Sequence, residues 1–295
     1  MRPAFTRRAH RDEAEGAESV PGDRMRPMNP GTQVSALTAL GAAQTVTGSK
    51  YLIEHGGRRV LLDAGLFQGL KELRERNWNG LPVSPAELDA VVVSHAHLDH
   101  CGYLPRIAKN GYDGVVHTTY DTGRLMSVVL PDSARLLEEE ARYANRKGYS
   151  KHHPALQLYT EADAKAVMRL FRTVPYGETR RLRKGLTFTF ADAGHILGSA
   201  SARFEVERDG ETTSVVFSGD LGRYHQPLNP DPTGGLAADY LVVESTYGNR
   251  EHGNGDAKAQ LAEVVNRTAK RGGHLVIPAF AVGRTQHVQI GRAHV

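Results

Sequence analysis

One cysteine, Cys101, occurs in 295 residues, so no internal disulfide can form. That excludes the disulfide-stapled secreted class and fits a reducing compartment. No apolar run approaches 18 residues, which excludes a hydrophobic transmembrane helix. The start of the chain has no basic segment leading into an apolar one, so no signal peptide is read. These absences predict a cytoplasmic protein without a membrane partner. Charge of one sign is also scarce in excess: 37 Lys+Arg against 33 Asp+Glu leave +4. So small a surplus permits a nucleic-acid partner without demanding one. Internal repeats and low-complexity tracts are absent. What the chain does have is 14 histidines, and they are clustered rather than scattered.

The two ends read differently from the middle. Residues 1–32 mix both charges with Pro and Gly and show no apolar periodicity, the pattern of a disordered leader; Met25 or Met28 is a candidate true start. The helix-like segment from Val282 to Gln289 breaks off into Ile290–Val295. That hexapeptide is what ATC GGA AGA GCA CAC GTC encodes, a string that looks like a sequencing-adapter oligonucleotide. The expectation is a gene fragment ending near Gln289 with a non-native tail at 290–295.

Between the ends, strand signals occur at Ala36–Leu40, Tyr51–Glu54 and Arg59–Asp63, with a turn signal at His55-Gly56-Gly57-Arg58. Leu88–Ser94 is a near-continuous apolar run, as for a strand buried on both faces. Residues 121–147 and 161–172 have helical spacing. Strands are read again at Leu186–Ala191, Ser201–Val206, Thr213–Phe217 and Tyr240–Val243. Two β-rich blocks around a helical insert predict a layered α/β protein.

Chemistry concentrates in Ser94-His95-Ala96-His97-Leu98-Asp99-His100-Cys101. Three imidazoles and a carboxylate directly after a buried strand are the donors that suit zinc and related divalent ions. His95 and His97, two apart, project to one side of an extended backbone; Asp99 and His100 can serve a second centre. His195, in a glycine-flanked turn, and Asp220, after an apolar strand, are weak signals alone and complete a two-metal set beside the sextet. Asp220 has two oxygens and could bridge. Cys101 is read as a packing residue rather than a ligand.

Asp63 in LLDAG, the HAHLDH sextet, His195 and Asp220 resemble, in order and spacing, the metallo-β-lactamase superfamily over roughly residues 35–289. Glu244 in LVVESTYGN is similar to motif A of its β-CASP branch. The segments around Gly41, Gly48, Gly65–Gly69, Glu138–Ala141 and Ile277–Arg284 resemble the RNA-cleaving members. The resemblance implies an αββα sandwich, incomplete here, over 33–239, with the beginning of an inserted β-CASP cap at 240–289. It implies two zinc ions: one on His95, His97 and His195, the other on Asp99, His100 and the bridging Asp220. Asp63 would orient ligands and water, and Glu244 would orient a histidine that acts as general acid. Asp99, Asp220, Glu244 and Asp63 are thus the candidate catalytic residues. That histidine, a further zinc ligand and motifs B and C have no candidate here, since His287 and His294 lie in the wrong local context. The chain as written is therefore expected to be an inactive fragment.

The implied activity is metal-dependent RNA phosphodiester hydrolysis, leaving a 3′-hydroxyl and a 5′-phosphate. Single-stranded RNA is the implied substrate, and the full-length protein a candidate homodimer. Arg142, Arg146, Lys147 and Lys151 interleave with Tyr143, Tyr149, His152 and His153. That pattern suits single-stranded RNA and equally a solvated helix end. Arg180, Arg181, Arg183 and Lys184 read as a solvated turn before a strand. Two other functions stay open: a small-molecule hydrolase of thioesterase or lactonase type on the same fold, and a non-catalytic RNA-binding homologue.

Overall fold

The computed structural model describes residues 35–226, 228–251 and 256–293, apart from the side chains of Ala257 and of 290–293. The expectations for the leader at 1–32 and for its start codon lie outside these residues. In chain order the elements are β1 (Ser35–Gly41), β2 (Lys50–His55), β3 (Arg58–Leu62), α1 (Lys71–Arg76), β4 (Ala90–Val92), α2 (Leu98–Cys101), α3 (Leu104–Lys109), β5 (Val115–Thr118), α4 (Tyr120–Lys147), α5 (Glu161–Met168), β6 (Phe171–Thr173), β7 (Thr179–Arg183), β8 (Leu186–Asp192), β9 (Ala200–Arg208), β10 (Glu211–Phe217), β11 (Tyr240–Val242), α6 (Ala257–Lys270) and α7 (Arg284–Ala293).

They form two sheets, ordered β1-β2-β3-β4-β5-β6 and β11-β10-β9-β8-β7. In the first, β1 to β3 are antiparallel and β3 to β6 parallel. In the second, β7 to β10 are antiparallel and β11 pairs parallel with β10. Side chains alternate across each strand, so neighbouring residues enter different cores. Ile53, Val60, Leu62, Ala90 and Val92 meet Leu186, Phe188, Phe190, Ala202, Phe204 and Phe217 between the sheets. Leu52, Leu61, Val91, Val93 and Val116 point the other way, onto Leu104, Ile107, Met126, Leu130 and Val167 of α3 to α5. The first sheet is therefore covered on both faces, which explains the unbroken apolar run through β4.

Two local expectations are corrected. The helix predicted over 161–172 stops at Met168, and Phe171–Thr173 is strand β6 beside β5. Propensity favoured helix there, but the vacant edge of the parallel sheet claims these backbone groups. The basic stretch 179–183, read as a turn, is edge strand β7. Its charges suit an edge exposed to water. At the C-terminal end α7 continues past Gln289 to Ala293. Among the described residues no helix is long and apolar enough to cross a membrane.

Candidate metal centre

The centre lies where the chain leaves its strands. After β4 the chain leaves the sheet, and His97, with φ −69° and ψ 144°, precedes the four-residue helix α2 that carries Asp99 and His100. His195 follows β8 in a turn set by Gly194 (φ 64°) and Gly198 (φ 79°), and Asp220 follows β10 after Gly219 (φ 57°). Strands from both sheets thus deliver candidate ligands to one end of the sandwich. Close backbone approach makes this arrangement possible. A Cβ on Gly65 would stand 1.6 Å from the Asp99 carbonyl oxygen, and one on Gly222 would stand 1.8 Å from the Gly194 carbonyl oxygen.

His95, His97, His195 and Asp220 each direct one donor atom into a group whose members all lie within 4.8 Å of one another. His97 Nδ1 is 3.1 Å from His95 Nε2 and 3.2 Å from His195 Nε2. Asp220 Oδ2 is 3.7 Å from His95 Nε2 and 3.5 Å from His195 Nε2. Four donors placed about 2.0–2.1 Å from a tetrahedral zinc stand about 3.3 Å apart. The observed spacings bracket that edge, so the donor set fits a divalent cation.

The other oxygen of Asp220 faces away from this group: Oδ1 is 3.2 Å from His100 Nε2. Asp99 Oδ2 lies 3.9 Å from the same nitrogen. Asp99, His100 and Asp220 form a second, looser trio that shares one carboxylate with the first. Cys101 stays out of both, buried in the helix-side core, where burial raises its thiol well above the ordinary value.

Hydrogen bonds select the ring nitrogens. Asp63, fully buried, accepts from Ser49 Oγ (2.9 Å), Ser94 N (2.8 Å), Ser94 Oγ (3.1 Å) and His100 Nδ1 (2.7 Å). With its hydroxyl proton on Asp63, Ser94 Oγ is left to accept from His95 Nδ1 at 3.0 Å. Both rings are then held with Nδ1 protonated and Nε2 turned inward. His97 is fixed in the opposite tautomer: a carbonyl can only accept, so its Nε2–H donates to Val282 O (3.3 Å) and Nδ1 is the free donor atom. Asp63 itself has φ 54°, a left-handed conformation of the kind retained at sites where surrounding contacts over-determine the backbone.

Electrostatics favour ligation by His95 and His195. Burial first, then the charge of His100, pushes His95 well below the ordinary histidine range. Burial lowers His195 to about 4. Both rings therefore present lone pairs at neutral pH. Burial works to lower His100 too, but Asp63 and Asp220 outweigh it and hold the ring well above its usual value. Burial would raise Asp220; the His100 hydrogen bond and the surrounding imidazoles reverse that and keep it ionised. Asp99 is raised by burial and by Asp220.

Glu244 follows β11 and approaches the Asp220 loop. Its Oε1 accepts from Leu221 N (2.7 Å), its Oε2 from Thr246 Oγ1 (3.0 Å), and its own N–H donates to Ser218 Oγ (3.0 Å). A cavity of about 310 Å³ joins Glu244, Asp220, His100 and Asp63 to the loop at Gln44–Val46. The sequence reading gave no role to Ser94, to the Val282 carbonyl or to Lys50. Ser94 could have been suspected from its place before the sextet. A backbone carbonyl 185 residues from His97 leaves no sequence signal. Lys50 is buried, with Nζ donating to Gly65 O (2.5 Å) and lying 4.3 Å from the Phe67 ring centroid; burial lowers it to about 7.

Comparison with known proteins agrees with this geometry. Ribonuclease TTHA0252 of Thermus thermophilus is 38% identical over 253 residues, which are 85% of this chain and 53% of that protein. Transcription termination factor FttA of Methanocaldococcus jannaschii is 32% identical over 260 residues, 85% of this chain and 38% of that one. Cleavage and polyadenylation specificity factor 73 of Drosophila melanogaster is 31% identical over 252 residues, 84% of this chain and 34% of that one. The chain spans about a third to a half of the length of these curated relatives. The model of the metallo-beta-lactamase superfamily matches residues 45–249, the span that holds strands β2 to β11 and every ligand candidate. With ten of the eleven described strands and the whole histidine-aspartate cluster inside that match, the chain belongs to the metallo-beta-lactamase superfamily.

Proposed function

We propose that this chain carries the metal-binding core of a β-CASP-type ribonuclease, a zinc-dependent hydrolase of RNA phosphodiester bonds acting in the cytoplasm. The observation that carries the reading is the single shared carboxylate, Asp220, with one oxygen toward His95 and His195 and the other toward His100. The name of the Thermus thermophilus relative supplies the reaction class. His95, His97 and His195 with Asp220 would hold one ion; Asp99 and His100 with Asp220 would hold a second. Paired zinc ions, when bound, would lower the pKa of a water toward about 7 and neutralise charge on the phosphoryl oxygens. The chain's own residues supply the rest. Asp63 fixes the tautomers of His95 and His100, so their Nε2 lone pairs face inward. Glu244 holds Leu221 N–H and thereby the turn carrying Asp220; that leaves it beside the cavity to orient a proton donor for the leaving oxygen. Gln44, Thr45 and Thr246 line the same cavity and offer hydrogen bonds to a substrate.

The test is zinc content, by mass spectrometry, of the chain and of its His97→Ala and Glu244→Ala variants. It is paired with cleavage of an unstructured 5′-labelled RNA by the gene's full product carrying the same changes. His97→Ala loses metal and cleavage together. Glu244→Ala keeps the metal and slows cleavage about 10²–10⁴-fold. Zinc loss in Glu244→Ala would put Glu244 inside the metal shell and overturn its assignment. Hydrolysis of a thioester or lactone with no action on RNA would favour the small-molecule reading.

A further inference from the structure

The long helix α4 links the metal centre to a second surface. At its N-terminal end Thr119 Oγ1 and Thr122 Oγ1 both donate to Gly198 O, at 2.6 and 2.8 Å, in the turn that carries His195. Twenty-eight residues later, about 42 Å along the axis, the helix ends in Gly148, whose φ of 68° turns the chain back. Asn145 holds the returning segment: its Nδ2 donates to Ala155 O (2.9 Å) and its Oδ1 accepts from Ala155 N (2.7 Å). This clamp sets Tyr149 against Tyr143 with ring centroids 6.1 Å apart. Both rings are about half exposed, at 61% and 47%.

Cations surround the two rings. Arg146 and Lys147 lie over Tyr143, 5.5 and 5.9 Å from its centroid. Arg142 is paired with Glu138 at 3.7 Å. Among the described residues Arg146, Lys147 and Lys151 have no ion-pair partner. Exposed aromatic faces interleaved with unpaired cations meet the two needs of a single-stranded nucleic acid: a surface on which bases stack and charge for the phosphates. An acidic protein would need the cations only.

We infer that the C-terminal end of α4, with Tyr143, Tyr149, Arg146, Lys147 and Lys151, is an exosite for single-stranded RNA. It holds the substrate strand away from the bond that is cut. This rests on the RNA reading of the metal centre. A span of about 42 Å corresponds to about 12 nucleotides at the stacked spacing of 3.4 Å, and to fewer in an extended strand.

The test is fluorescence anisotropy of the chain with a labelled, unstructured 30-nucleotide RNA, in chelator and over a range of salt. Tyr143→Ala and Tyr149→Ala each weaken binding at least about 5-fold. Arg146→Gln with Lys147→Gln reduces the slope of log affinity against log salt by about 1.4, that is about 0.7 for each phosphate no longer neutralised. Arg180→Gln with Arg181→Gln, on edge strand β7, keeps the patch intact and binds as the unaltered chain does. Melting curves of the tyrosine variants match that chain, because both rings are exposed. If the unaltered chain binds RNA and the patch variants bind equally well, the exosite is refuted and the RNA reading stands. If the unaltered chain binds no RNA, both fall. Equal affinity for a 30-base-pair duplex would overturn the stacking role, since duplex bases offer no free face.

Discussion

Asp63→Asn isolates what one buried carboxylate does for the metal centre. Asparagine tolerates the left-handed backbone found at this position, φ 54°, better than most residues, so the change tests charge rather than strain. Oδ1 can keep its bond from Ser94 N. The amide nitrogen then faces Ser49 Oγ, Ser94 Oγ and His100 Nδ1, where Oδ2 had accepted three bonds. Two hydroxyls can rotate to accept. His100 Nδ1–H cannot, so the ring must move or give up that proton and carry it on Nε2, the nitrogen that faces Asp220. A protonated Nε2 is no ligand. Loss of such a supporting bond costs 10–100-fold in metal affinity, about 1.4–2.7 kcal/mol. The loss should fall on the trio of Asp99, His100 and Asp220.

Metal-free stability should fall as well, by about 1.5–3 kcal/mol for the charged bond to His100. The sign of its pH dependence follows from His100 being raised by Asp63 and Asp220 against burial. A raised folded value stabilises fully below the unfolded value, about 6.5, and that part is lost as pH rises through the folded value. The gap between the two chains is thus widest at about pH 6 and narrows on the alkaline side. Zinc titration against a competing chelator and urea melts at several pH values measure both effects. Unchanged affinity for the second ion would refute the claim that Asp63 sets the His100 tautomer.

Gly65→Ala forces a methyl to within 1.6 Å of the Asp99 carbonyl oxygen, so the chain should lose more than about 3 kcal/mol or fail to fold, as read by urea melts. Thr119→Ala removes both a helix cap and a bond to Gly198 O and should cost about 1–2 kcal/mol; Thr122→Val removes one bond and should cost about 1 kcal/mol. Equal costs for the two would argue against the cap. His117 is lowered to about 4 by burial, then by Arg180 and Arg172. The folded state therefore binds fewer protons than the unfolded chain between about pH 6.5 and 4, and stability falls as pH falls through that window. His117→Gln should flatten this acid limb by about 1–3 kcal/mol, a value discounted for partial exposure; an unaltered pH profile would count against a buried neutral ring.

Local chemistry made much of the molecule readable in advance. The strand signals at β2 and β3 and the apolar run of β4 announced a layered α/β core, because a strand covered on both faces is apolar at every position. The HAHLDH sextet stood out as a candidate for a local reason: donors close in sequence share one short stretch of backbone. Where order depended on neighbours, the sequence was silent. Phe171–Thr173 has helical company on its N-terminal side, yet β5 offered a free sheet edge. The basic residues of β7 gained strand geometry only by pairing with β8. Asp220 and His195 are ordinary turn residues until two sheets bring their loops to one end of the sandwich. The Val282 carbonyl is invisible to any reading of side chains, and only the tertiary fold sets it against His97 to choose which nitrogen faces inward.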